Sequence, residues 1–138
     1  MDESPIADLL EAVDRLDLEA TAAQFAPDGR LMTADGRRAA GLEQVRELLA
    51  EFFASLRATS HQITAQWHEA DTWIAEADAT YELDDWMQTS PLPRAFVLRQ
   101  GSDGITDLRV YGAHEHQLTD HPEGGLGTWV RGHWVPPV

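Results

Sequence analysis

The hydrophobic period of this chain changes near Ser60, and that change restricts the fold more than any other feature. Upstream, Leu42, Val45, Leu48, Leu49, Phe52, Phe53 and Leu56 recur at helical spacing and form one continuous stripe. Downstream the period is two. His61, Ile63, Ala65 and Trp67 alternate with Gln62, Thr64, Gln66 and His68. After Glu69-Ala70-Asp71, the set Trp73, Ala75, Ala77, Ala79, Tyr81 and Leu83 alternates with Thr72, Ile74, Glu76, Asp78, Thr80 and Glu82. Phe96-Val97-Leu98, the turn Gly101-Ser102-Asp103-Gly104 and the run after Ile105 make a hairpin. In its second strand Leu108, Val110, Gly112 and His114 share one face, and Asp107, Arg109, Tyr111 and Ala113 the other. Helices first and long antiparallel strands after give an α+β domain rather than a doubly wound one.

The N-terminal part carries its own punctuation. Ser4 suits an N-cap, Pro5 the first helical position, and Ile6, Leu9, Leu10 and Val13 the buried side of a helix. Asp14-Arg15-Leu16-Asp17 interrupts it, and Asp17 can cap a second short helix in which Leu18, Ala22 and Phe25 share a side. Ala26-Pro27-Asp28-Gly29 is expected to close that helix. A short strand over residues 30–34, a turn at Asp35-Gly36 and a helix from Gly41 to about Arg57 follow, with strands from Ser60.

A chain of 138 residues, 43% of them hydrophobic, is large enough for one core, and no linker or repeat divides it. It has no cysteine, which removes disulfides, thiolate nucleophiles and zinc–cysteine sites. Its 24 acidic residues face 10 basic ones, all arginine, for a formal charge of −14. Such a balance lacks the positive footprint that a nucleic acid or an anionic membrane requires. GC-rich coding and adaptation to high salt both account for an acidic, lysine-free composition. With no run of eighteen apolar residues and no basic, apolar leader, neither a membrane span nor a signal peptide is indicated, and a cytoplasmic location is expected.

The order of these elements, together with Asp14-Arg15-Leu16-Asp17, Phe25-Ala26-Pro27-Asp28-Gly29, Ser60-His61, Ala75-Glu76-Ala77-Asp78 with Tyr81, and Asp103-Gly104-Ile105 with Leu108-Arg109-Val110-Tyr111, resembles the SnoaL-like branch of the nuclear-transport-factor-2-like superfamily. The resemblance covers roughly residues 5–118. It implies a cone, in which a strongly curved antiparallel sheet wraps around the helices, a central pocket opens between them, and a homodimer often forms through the sheet. Relatives include polyketide cyclases, ketosteroid isomerases, scytalone dehydratases and limonene epoxide hydrolases, so the fold does not choose a reaction.

Residue by residue the resemblance is selective. Thr33 falls where a ketosteroid isomerase has its general base and Ala95 where it has its proton-donating acid; neither side chain can do that chemistry. The usual cyclase carboxylate falls near Ala113, with His114 the nearest titratable group. Scytalone dehydratase matches better: its helix-borne aspartate falls on Asp14 and its strand-head histidine on His61, while its second histidine falls near Leu83 and its tyrosines on Thr33 and Val13. A carboxylate that orients an imidazole is a sensible acid/base unit, because imidazole both takes and gives a proton close to neutrality. The competing readings are an Asp14 that bonds nearby amides and a His61 satisfied by water or a backbone carbonyl. An epoxide hydrolase would need Asp-Arg-Asp in the pocket, for which Arg99 and Asp107 are candidates that strand parity does not bring together.

The expected catalytic set is therefore Asp14, His61 and His114, and the expected ligand-binding set is Phe53, Trp67, Tyr81, Trp86, Val97, Leu108 and Val110. Ala75, Ala77 and Ala79 either leave volume for a ligand or let helices approach the sheet closely. Glu76 and Asp78 have glycosidase-like pairing but suit a solvated or dimer-facing surface. His114 and His116 have the spacing of a metal pair without a third partner, so no metal and no cofactor are expected. The chain divides into a domain over residues 1–118 and an extension over residues 119–138, whose Trp129, Val130, Trp134 and Val135 should dock on the pocket mouth or, by preference, on a dimer partner. The composite expectation is a cofactor-free isomerase, cyclase or dehydratase acting on a small apolar carbonyl or hydroxyl compound. The alternative is a non-catalytic ligand-binding or dimeric interaction domain.

Overall fold

Ser4 begins the first helix as the sequence leads one to expect: its hydroxyl accepts the Ala7 amide, and Pro5 occupies the first turn, where no amide hydrogen is needed. The computed structural model describes residues 4–83, 87–89, 91–112, 128–130 and 133–135. Helix α1 spans Pro5–Asp14, α2 Leu18–Ala22 and α3 Leu42–Ala54. The strands are β1 Phe25–Met32, β2 Arg38–Ala40, β3 Leu56–Glu69, β4 Thr72–Leu83, β5 Leu92–Gly101, β6 Gly104–Gly112, β7 Thr128–Val130 and β8 His133–Val135.

Six strands form one curved sheet in the order β2-β1-β6-β5-β4-β3, and β7 with β8 forms a separate two-stranded sheet. From β3 to β6 every pair is antiparallel, as expected of a meander. The pair β1–β6 is parallel, so the sheet is mixed rather than wholly antiparallel. That follows from connectivity: β1 enters from the α2 end and joins the far side of the last long strand instead of forming a hairpin with it.

The Ala26-Pro27-Asp28-Gly29 segment is not a helix-closing loop but part of β1. Pairing jumps there from Phe25↔Ile105 to Arg30↔Asp107, and the irregularity accommodates a proline that cannot donate to a ladder. Gly29 is needed at this point because a Cβ would lie 2.7 Å from the Ile105 carbonyl oxygen. Helix α3 ends earlier than the apolar stripe suggests: the Ser55 hydroxyl bonds back to the Phe52 carbonyl, and β3 starts at Leu56.

The inner face of the sheet meets the helices. Ile6, Leu9, Leu10 and Val13 of α1 and Val45, Leu48 and Leu49 of α3 pack in one cluster with Ala75, Ala77, Phe96, Leu98, Ile105 and Leu108. Each such aliphatic side chain contributes about 1.5–3 kcal/mol by burial. Ala75 and Ala77 belong to this packed cluster, so of the two sequence readings their small size serves close helix approach. Among the described residues no helix is long and apolar enough to cross a membrane.

Candidate active site

Helix α1 ends at Asp14, and the next residues turn so tightly that Leu16 adopts a φ of 54° before Asp17 caps α2 through the Ala20 amide. This turn fixes the Asp14 carboxylate against β3. Its Oδ2 accepts the backbone N–H of His61 at 3.0 Å, and its Oδ1 lies 2.7 Å from His61 Nδ1. A carboxylate only accepts in that contact, so Nδ1 carries the hydrogen and the ring turns its Nε2 away from Asp14. The His61 side chain is 4% exposed, with its ring edge-on to Tyr81 and Phe96 at 6.1 and 5.9 Å between centroids. No described side chain or backbone group engages Nε2.

His61 lines a cavity of about 190 Å³ between the helices and the sheet. Leu9, Leu10 and Val13 of α1, Leu48, Leu49 and Phe52 of α3, and Phe96, Leu108 and Val110 of the sheet make most of its wall apolar. Tyr81 and Arg94 interrupt that wall. Arg94, 6% exposed, directs Nε–H to the Tyr81 hydroxyl at 3.3 Å, and its guanidinium carbon lies 5.6 Å from the Tyr81 ring centroid. Gly112, the cross-strand partner of Arg94, makes this placement feasible, because a Cβ there would lie 2.5 Å from Arg94 Nη1.

The mouth is polar. Thr33, Ala34, Asp35 and Arg37, between β1 and β2, and Ser55 line it. Arg37 binds Asp35 through Nε at 2.9 Å and Glu51 of α3 through Nη1 at 3.0 Å, and the Thr33 hydroxyl also donates to Asp35. Burial works against ionisation of Asp35, but the Thr33 hydroxyl, the Arg37 amide and the Arg37 guanidinium together outweigh it and hold the carboxyl below its ordinary value.

The structure thus brings together Asp14, His61, Tyr81, Leu108 and Val110. It places three other expected ligand contacts elsewhere. Trp67 is on the opposite face from His61, because a bulge between Ile63 and Ala65 inverts the alternation; Trp67 pairs with Ile74 and is 53% exposed. Val97 alternates with the cavity-lining Phe96 and faces outward. Phe53 packs beside the core while its neighbour Phe52 lines the cavity. His114 and Trp86, like His116, Ala113 and the expected boundary at residue 118, lie outside the described residues. Arg99 and Asp107 do meet, at 3.3 Å across β5 and β6, but on the outer face, where Asp107 also binds Arg109. Glu76 and Asp78 are exposed on that face.

Arg94 is the group that the sequence pattern signalled and the expected set omitted. Its inward positions on β5 read Leu92, Arg94, Phe96, Leu98, a charge inside an apolar alternation. Among the described residues no three side chains gather as metal ligands, and the titratable side chains lining the cavity are His61, Tyr81 and Arg94 in its wall and Asp35 and Arg37 at its mouth.

Comparison with known proteins bears on the fold and the family. No curated protein matches the sequence. Among solved structures, a protein of ketosteroid isomerase-like fold from Catenulispora acidiphila, in complex with trimethylamine, superposes with a TM-score of 0.72 at 22% identity over 80% of this chain and 86% of that one. A candidate SnoaL-like polyketide cyclase from Shewanella denitrificans gives 0.69 at 8% identity, covering 79% and 88%. An epoxide hydrolase from M. tuberculosis, like limonene epoxide hydrolase, gives 0.68 at 15% identity, covering 79% and 80%. At these identities the likeness is one of fold. The model of the SnoaL-like domain matches residues 6–108, which include α1 from its second residue, both halves of the Asp14–His61 contact, Tyr81 and Arg94, and the chain belongs to the SnoaL-like domain family.

Proposed function

We propose that this protein is a cytoplasmic, cofactor-free acid/base enzyme of isomerase, cyclase or dehydratase type, acting on a small, mainly apolar carbonyl or hydroxyl compound. The observation that carries the reading is the two-point grip of Asp14 on His61 at the wall of an apolar cavity. Asp14 fixes the ring tautomer and holds the strand amide with the same carboxylate, so Nε2 is oriented before any substrate arrives. General-base catalysis by such a group contributes about 10²–10⁴-fold. An epoxide hydrolase mechanism is not favoured, because Arg99 and Asp107 form their pair on the outer face.

The reading is tested with ¹⁵N-labelled protein and the small bicyclic ketone 2-indanone. The expected result is a His61 ring protonated at Nδ1, perturbed at Nε2 by the ketone, and deuterium incorporation into 2-indanone that is lost in His61→Asn. A ring protonated at Nε2 together with no exchange above buffer would leave a non-catalytic binding domain as the better account.

The same proposal includes a homodimer through the sheet. Trp67, Ile74 and Val97 are consecutive cross-strand neighbours, and Trp67 and Ile74 are exposed on the outer face. An apolar row on an open sheet supports association with a second copy.

A further inference from the structure

We infer that charge holds the two copies of the homodimer in a single two-fold register on the outer face of the sheet, with Glu76 and Asp78 of each chain against Arg109 and Arg38 of the other. This deepens the homodimer reading above and rests on it.

The ladders lay the outer face out in rows, because residues directly opposite on neighbouring strands share a face. One row crosses the whole sheet as Arg38, Met32, Arg109, Val97, Ile74 and Trp67, each the cross-strand partner of the next. On one side of it run Arg30, Asp107 and Arg99, and on the other Tyr111, Ala95 and Glu76. Asp78 follows Glu76 on the same side of β4.

Two features set this face apart. Three of the four large hydrophobic side chains that are exposed among the described residues stand on it: Trp67, Ile74 and Tyr111. Its charges are also segregated. Arg30, Arg38, Arg99 and Arg109 are all exposed and surround one carboxylate, Asp107, which binds Arg99 at 3.3 Å and Arg109 at 3.1 Å. Glu76 and Asp78 are exposed on β4 without an ion pair among the described residues, whereas Glu82 is held by Arg57.

Charge also selects the occupant. Two chains of formal charge −14 repel one another over most of their surface. On this face a basic half and an acidic half lie side by side, and each complements the other. A two-fold interface makes every contact twice, so one arrangement of two copies satisfies both halves at once.

The ladder register then fixes the arrangement. Glu76 lies two strands and one two-residue step from Arg109, about 12 Å away. The midpoint falls on β5 between Ala95 and Val97. A two-fold axis through that point, lying between the two sheets and across the line from Glu76 to Arg109, sets each of these residues over its opposite in the second copy. The same operation sets Asp78 over Arg38 and Ile74 over Val97. Opposite charges meet, apolar groups meet, and the small Ala95 side chain beside the axis lets the faces approach.

The test uses the full chain and sedimentation equilibrium, which reads the dimer dissociation constant. Glu76→Arg sets arginine against Arg109 of the second copy and should weaken the dimer about ten-fold or more, the scale of a like-charge contact within an interface. Glu76→Arg combined with Arg109→Glu exchanges the two charges and should restore the constant to within about three-fold of wild type, as coupled residues do. Should loss of the Arg109–Asp107 pair unfold that variant, Asp78→Arg with Arg38→Glu makes the same exchange at residues without an ion pair among the described ones. The chain has no cysteine, so Ala95→Cys offers a short bismaleimide a single point of attachment and should give covalent dimers. Arg30→Cys, remote from its own copy across the axis, should not. A dimer indifferent to the charge exchange, or one linked through Arg30→Cys and not through Ala95→Cys, would overturn the register and leave the homodimer standing. A monomeric wild type would remove the homodimer and the register together.

Discussion

Asp14 holds His61 twice, through the ring Nδ1 at 2.7 Å and through the backbone amide at 3.0 Å. The two residues are 47 positions apart, and one carboxylate couples the end of a helix to the head of a strand. Asp14→Ala should therefore cost stability as well as function. The loss is expected at about 1–3 kcal/mol, the penalty for leaving polar partners unsatisfied. Urea denaturation of the variant measures it, and Asp14→Asn should recover part of that stability while impairing ketone exchange, because an amide does not select the Nδ1–H tautomer.

Gly112 faces Arg94 across the β5–β6 ladder, and a Cβ there would approach Arg94 Nη1 to 2.5 Å and the Pro93 carbonyl oxygen to 2.6 Å. Gly112→Ala should destabilise the fold by about 1–3 kcal/mol, as overpacking does.

The turn at the cavity mouth should respond to acid. The Asp35 carboxyl is held below its ordinary value of 3.8, so its ion pair and hydrogen bonds contribute stability that is fully present above pH 3.8 and lost as pH falls through the lower folded value. Asp35→Asn should remove that part of the acid sensitivity. Comparison of wild-type and variant denaturation curves between pH 5 and pH 2, on the order of the window over which such a group titrates, shows whether the two converge at the acid end as expected.

On the outer face, Trp67→Asp should shift a dimer toward monomer and leave 2-indanone exchange unchanged, because Trp67 does not line the cavity. Light scattering behind size exclusion reads the first expectation, and deuterium incorporation into 2-indanone the second. A monomeric wild type would end the dimer proposal without touching the cavity.

Ala77 gives a further check on packing. It is 2% exposed within the main core cluster. Ala77→Leu should cost about 1–3 kcal/mol by overpacking. A neutral or stabilising result in thermal denaturation would mean that unfilled volume lies under the sheet at this point.

Local rules carried much of the architecture. Ser4-Pro5 and Asp17 start their helices where the sequence places them, and the alternation of β4 and of the β5–β6 hairpin is legible directly, because side-chain parity in a regular strand is a local property. Asp14 and His61 were nameable from resemblance. Their contact was not derivable from spacing, since it depends on how the Leu16 turn sets α1 against β3.

Sequence by itself determined the α+β class, the charge and the inward set on β4, because periodicity and composition act residue by residue. Only the tertiary structure decided the parallel β1–β6 pair, the bulge that turns Trp67 away from His61, the choice of Phe52 over Phe53, and the meeting of Arg94 with Tyr81. Each of these depends on register or on the approach of segments distant in the chain, and a one-residue shift in register reverses every face that parity predicts.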